Sequence, residues 1–186
     1  ILVTFIGMFL AGMNFVKEKE IGTIEQLNVT PIRKYQFIVG KLLPFWIIGL
    51  VLLGFGLILI KLFYNVPFEG SLLLLFLVTA IYLLVVLGAA VLISTVSETQ
   101  QQTMFLSWFI VVVFIMMSGI FTPIDSMPIW AQKVALFNPL AHFGEVIRRV
   151  LLKGAGFESI QLQFWILVAF AFLMISLSVW RFRKVG

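Results

Sequence analysis

Three carboxylates, Glu18, Glu20 and Glu25, share a strip with Lys17 and Lys19 that reads KEKEIGTIEQLNVTPIRKYQFIVGK and runs from Lys17 to Lys41. Charges of both signs at that density can engage a complementary protein surface, and Gly22 among them allows close backbone approach. The other residue able to do chemistry is His142, the only histidine. Paired with Asp125 or Ser126 it could serve an external hydrolase site, in a membrane-embedded enzyme. A lone histidine beside an amphipathic helix is more often a surface or interface residue. No GxSxG or HExxH accompanies it, so no catalytic residue is assigned. Further metal ligands at suitable spacing are missing, and no metal site is expected. Cysteine is absent, which excludes disulfides and thiolate sites. There is no GxxxxGKS or GxxxxGKT to cradle nucleotide phosphates, so the chain itself offers no ATP site.

The elements that must carry these residues are lipid-soluble. Hydrophobic residues make up 62% of the 186 and charged residues 11%, too apolar for a soluble core of this size. A soluble domain of this composition would expose bare apolar helices and aggregate. A spanning helix needs about 20 apolar residues. Leu42–Ile60, Leu72–Ile93, Met104–Phe121 and Phe164–Trp180 are free of charge, and Ile1–Val16 is a partial window. One Lys or Arg at mid-bilayer would cost roughly 3 kcal/mol on insertion scales, so the clean windows are informative. The expected fold class is an all-α integral membrane protein with five spans, forming a single transmembrane domain over residues 1–186. The chain begins in mid-span without Met, and it lacks a basic leader and a small-residue cleavage site. We therefore expect lost upstream sequence rather than a signal peptide.

Basic residues set the orientation. Lys17, Lys19, Arg33, Lys34 and Lys41 lie in the strip, and Arg181, Arg183 and Lys184 in the tail. Five alternating spans put both on one side, the cytoplasmic side, leaving Lys61, Lys133, Arg148, Arg149 and Lys153 outside. The excess of 13 basic over 8 acidic residues thus reports topology, not nucleic-acid binding. Trp46, Trp108, Trp165 and Trp180 fall near window ends, as interfacial aromatics do.

Residues 122–163 form an external segment with no room for another span, since only 11 residues, Asn138, Pro139 and His142 among them, lie between Lys133 and Glu145, too few to cross. Met127-Pro128 and Asn138-Pro139 each place Pro where a first helical turn begins, with Asn138 a good N-cap. Leu140, Phe143, Val146, Ile147, Val150 and Leu151 then recur at helical spacing, with His142, Glu145, Arg148 and Arg149 largely opposite, and Gly154 closes the helix. Two short helices dipping into or lying on the outer leaflet are expected, with Phe121, Trp130, Phe137 and Phe143 as apolar contacts to the span ends. Ser97-x-x-Gln100 matches a capping box at the start of the Met104 window. Gly49 and Gly56, one heptad apart, either allow close helix contact or face lipid.

Within the strip, Ile21, Ile24 and Leu27 stand three apart and give a short helix a narrow apolar stripe, and Thr30-Pro31 starts a second helix. Such a helix either anchors the protein at the interface or docks in a groove of a soluble partner. The residues leave both readings open.

KEKEIGTIEQLNVTPI resembles the hallmark segment of the ABC-2 type transporter permeases, the membrane subunits of ATP-driven exporters of the multidrug and daunorubicin-resistance type. SETQQQTM at Ser97–Met104, and SGIFTPIDSMPIWAQ with NPLAHFGEVIRR within Ser118–Arg149, extend the likeness in the family's order and spacing. The resemblance implies one missing span of a six-span permease. It makes residues 17–41 a cytoplasmic coupling segment, with Glu18, Glu20, Ile21, Gly22, Thr23, Glu25 and Leu27 engaging an ATP-binding subunit. ATP and Mg would be bound there, with no cofactor in this chain. The outer helices become re-entrant elements at an external gate, with Phe121, Pro123, Pro128, Trp130, Asn138, Pro139 and Phe143. The implied function is outward export of an apolar or amphipathic drug, lipid or glycan-like substrate by alternating access. The implied partners are the ATPase subunit, a second permease copy or homologous permease, membrane lipid, and in some systems a membrane-fusion adaptor; the implied site is a bacterial inner membrane, with the C-terminus cytoplasmic. A non-transporting membrane scaffold is the remaining alternative.

Overall fold

Lipid offers no hydrogen bonds to the backbone, so apolar windows of this length close their own bonds as helices. A computed structural model describes residues 1–22, 34–64 and 69–185, and among these there is no strand. The helices are α1 (Leu2–Ile21), α2 (Lys34–Tyr64), α3 (Leu72–Val96), α4 (Gln100–Met116), α5 (Ile129–Ala135), α6 (Pro139–Ile147) and α7 (Phe157–Val185). A 3-10 turn at Ile124–Ser126 precedes α5, and a π turn at Arg148–Leu152 follows α6.

Among the described residues three helices are long and apolar enough to cross a membrane: Gln36–Phe63, Leu72–Val96 and Phe157–Arg181. They contain the windows Leu42–Ile60, Leu72–Ile93 and Phe164–Trp180. The Met104–Phe121 window overruns its helix, because α4 stops at Met116. Apolar sequence continues past that point, but the backbone turns at Gly119, whose φ is +75°, a conformation glycine adopts without strain. The Ser118 hydroxyl donates to the Ile115 carbonyl, and the Asn138 amide donates to that of Phe114, so the freed carbonyls of the last turn find partners.

At the other end of α4 the capping box lies two residues later than the sequence pattern placed it. Thr99 is the N-cap and accepts from the Gln102 amide at 3.2 Å, while Gln102 Oε1 accepts from the Glu98 amide at 2.9 Å. Ser97 instead donates its hydroxyl to the Ile93 carbonyl and closes α3. Thr99-x-x-Gln102 and Ser97-x-x-Gln100 are equivalent by pattern, and the end of α3 claims Ser97 first.

α3 is the central helix, packed against α1, α2, α6 and α7. Leu75, Val78, Tyr82, Leu83, Leu87 and Ala90 are fully buried along it. Thr4 and Tyr82 share a hydrogen bond of 2.7 Å, and Lys19 reaches the Ser97 carbonyl at 2.9 Å. Both pairs are 78 residues apart, so α1 and α3 run side by side in one direction. Gly88 lies against Met174 and Gly154 against Glu69, which sets α7 parallel to α3 as well. The charged end of α1 and the basic end of α7 therefore share one end of the bundle; α5, α6 and the start of α7 form the other.

α2 is apolar almost all round and mostly outward-facing, with Val51, Phe55 and Ile58 exposed, as a helix against lipid is. Gly49 and Gly56 behave differently along it. A Cβ on Gly49 would meet Leu83 Cδ2 at 2.6 Å, whereas Gly56 has nothing within 4 Å. Trp46 does not simply float at an interface: its indole N–H donates to the Ala80 carbonyl at 2.9 Å.

Candidate functional site

The end of α1 carries Lys17–Glu20 on the last turns of a helix, and two neighbouring residues there read opposite helix termini. Lys19 donates to the Ser97 carbonyl at the end of α3, where the helix dipole is negative. Glu20 accepts from the Gln100 backbone amide at 2.8 Å and from Gln100 Nε2 at 2.5 Å, at the positive start of α4. Each charge meets the partial charge it complements. The Gln100 side-chain bond, then its backbone bond, hold the Glu20 carboxyl below its ordinary pKa.

Glu18 pairs with Lys41 of α2. Lys41 also donates to Asn14 Oδ1 at 2.9 Å. Its ammonium sits 5.4 Å from the Phe15 ring centroid and 5.2 Å from that of Phe37, within cation–π range. The charged turn thus ties α1 to α2, to the end of α3 and to the start of α4. Ile21 is exposed and Gly22 takes a left-handed φ of +78° that ends α1. Thr23, Glu25 and Leu27, with Ile24 and the Thr30-Pro31 start, lie outside the described residues. Sequence reasoning missed Lys19, Lys41 and Gln100 as partners, because nothing in their spacing relates residues so far apart.

At the opposite end Pro123 precedes the 3-10 turn, Pro128 precedes α5, and Pro139 is the first residue of α6. Asn138 caps α6 by accepting from the Leu140 amide at 3.0 Å, and its Nδ2 donates to the Phe114 carbonyl at 2.7 Å. Phe143 is buried and stacks on Tyr82. Phe121, Trp130 and Phe137 do not pack on the span ends: they are 66%, 67% and 74% exposed. The structure brings Asn138, Pro139 and Phe143 into the bundle and leaves the other three aromatics on its rim. The physical reason is geometric. α5 has only seven residues, and its small Ala131 and Ala135 are the ones turned inward.

His142 is spent structurally. Its Nε2 donates to the Leu136 carbonyl at 2.9 Å in the tautomer that satisfies that oxygen. It lines a cleft of about 530 Å³ together with Asp125, Glu145, Arg148, Arg149 and Lys153. Among the described residues no cluster of His, Cys, Asp or Glu could hold a metal ion.

The chain is 30% identical over 188 residues to the probable multidrug ABC transporter permease YbhR of Escherichia coli (strain K12), covering 98% of this chain and 50% of the relative. It is 32% identical over 183 residues to the inner membrane transport permease YhhJ of the same organism, covering 98% and 49%. ABC transporter G family member 20 of Dictyostelium discoideum is 27% identical over 172 residues, covering 91% of this chain and 24% of that protein. The chain spans about half the length of the first two relatives. No solved structure matches it. The family model described as ABC-2 family transporter protein matches residues 1–180, and with 180 of 186 residues so matched the chain belongs to the ABC-2 transporter family.

Proposed function

We propose that this chain is part of the membrane subunit of an ATP-driven exporter and moves an apolar or amphipathic substrate outward by alternating access. The windows Leu42–Ile60, Leu72–Ile93, Met104–Phe121 and Phe164–Trp180 carry no charge to pair with a small ion, which favours such a substrate. A separate subunit binds and hydrolyses ATP, and a second permease copy or homologue completes the pathway. The charged end of the bundle faces the cytoplasm and meets the ATPase; the α5–α6 end forms the external gate.

The single observation that carries the reading, beside family membership, is the charged turn of α1. Glu18 and Glu20 are held by Lys41 and Gln100, so in this mechanism they do not contact the ATPase directly. A displacement of the strip that follows them reaches α2 through Glu18 and α4 through Glu20. Ile21, Gly22, Thr23, Glu25 and Leu27 remain as the surface offered to the partner. Coupling of this kind needs a linkage that moves as a unit, and two charge-assisted attachments supply it.

The test uses the full-length protein co-reconstituted with its ATPase subunit in liposomes. Glu18→Gln with Glu20→Gln should leave complex assembly intact and abolish stimulation of ATP hydrolysis by the permease. Full stimulation in that variant would remove the coupling role of this turn.

A further inference from the structure

We propose that the cleft beside α6 is a binding site for a phosphate-bearing amphiphile head group, held between Arg148 and Lys153. Five charged side chains line this cleft, and they divide by their existing partners. Arg149 is satisfied: it pairs with Glu145 and donates to the Ser159 carbonyl at 2.7 Å, locking the π turn onto the start of α7. Among the described residues Arg148 donates only to the Gly119 carbonyl, at 3.3 Å. Lys153 makes no ion pair among the described residues, although Glu69 lies against the adjacent Gly154. Two cations with no carboxylate partner among the described residues therefore open onto one cavity.

Those cations stand on a built feature. The π turn at Arg148–Leu152 widens the helix where both arginines leave it, and such turns are frequent at functional sites. The cleft lies at the level of the turn into α3, since Gly70 lies against the Val150 backbone. That is where spans end and head groups begin. Pro123, Ile124 and Leu136 give it apolar wall, and exposed Ile129, Trp130 and Phe137 form the adjoining surface of α5 and its exit. A guanidinium and an ammonium beside apolar surface are complementary to a phosphate attached to acyl chains. Asp125 in the same cleft also lacks an ion pair among the described residues, and it disfavours a dianion. A monoanionic phosphodiester fits better than free phosphate. This inference rests on the membrane-embedded reading of the chain and not on transport or its direction.

The experiment measures thermal unfolding of the full-length protein in dodecylmaltoside, with three probes: dioctanoyl phosphatidylglycerol, dioctanoylglycerol and inorganic phosphate. Phosphatidylglycerol should raise Tm by about 3 °C or more at saturation, and dioctanoylglycerol should not. Arg148→Gln with Lys153→Gln should lose the shift, and Arg148→Lys should keep most of it. Arg149→Gln should lower the starting Tm yet retain the shift, which separates binding from folding. An equal shift with inorganic phosphate supports the anion site with the free ion as its ligand. No shift with either phosphate probe, an equal shift with dioctanoylglycerol, or an undiminished shift in the double variant overturns the proposal.

Discussion

Tyr82 of α3 and Phe143 of α6 lie ring on ring, with centroids 4.1 Å apart and planes 5° from parallel. Neither ring is exposed beyond 3%. Tyr82 also shares its hydroxyl with Thr4 of α1. One tyrosine thus joins the central helix to α1 on one side and to the short outer helix on the other.

Removing that contact should be costly. Phe143→Ala should destabilise the folded protein by about 3–5 kcal/mol, the range for a buried Phe truncation. Phe137→Ala, at a side chain 74% exposed, should cost under about 0.5 kcal/mol. Unfolding in mixed micelles of both variants checks the contrast; equal losses would contradict the placement of α6.

The close approach of α3 to α7 depends on Gly88. A Cβ there would meet Met174 Cβ at 2.9 Å, its carbonyl carbon at 3.1 Å and the Ile175 amide nitrogen at 3.2 Å. Two of these are backbone atoms, so the helices must separate, and Gly88→Ala should cost about 1–3 kcal/mol. Gly56→Ala, with nothing within 4 Å, should be neutral or slightly stabilising through helix propensity. The same unfolding assay reads both, and a neutral Gly88→Ala would show that the two helices have slack.

Asn138 serves two helices at once. Asn138→Ala removes the cap on the Leu140 amide and the donor to the Phe114 carbonyl. The expected loss is about 1–3 kcal/mol. Asn138→Asp keeps the cap but not the second donor, and should fall between wild type and alanine. An aspartate variant as weak as alanine would mean that the Phe114 bond carries the whole effect.

The Glu20–Gln100 attachment has a definite pH dependence. A carboxyl held below its ordinary pKa contributes stability that is fully present above the unfolded value, and loses it as pH falls through the folded one. Glu20→Gln mimics the protonated side chain. Its deficit in Tm against wild type should therefore be constant at neutral pH and shrink toward zero as pH drops below the usual carboxylate range. A deficit that does not change between neutral and acid pH would show that the charge on Glu20 is irrelevant to the junction.

Much of this protein was legible before folding. The charge-free windows fixed helical, membrane-compatible elements, because lipid penalises both charge and unpaired backbone. Asn138-Pro139 marked a helix start because an Asx cap and a proline at the first turn satisfy purely local demands. Family hallmark residues were readable for the same reason: they are a pattern in the chain itself. What only the tertiary structure decided is long-range pairing. Glu20 meets Gln100 because parallel packing of α1 with α3 brings the start of α4 to the end of α1, and Lys41 meets Glu18 because α2 packs against α1; no local pattern encodes a separation of 80 residues. The end of α4 shows the same limit from the other direction. Hydrophobicity runs on past Met116, but a left-handed Gly119 and the amide of a residue on α6's doorstep stop the helix there. Hydropathy reports where a side chain is soluble; which backbone carbonyl finds a partner depends on what folds against it.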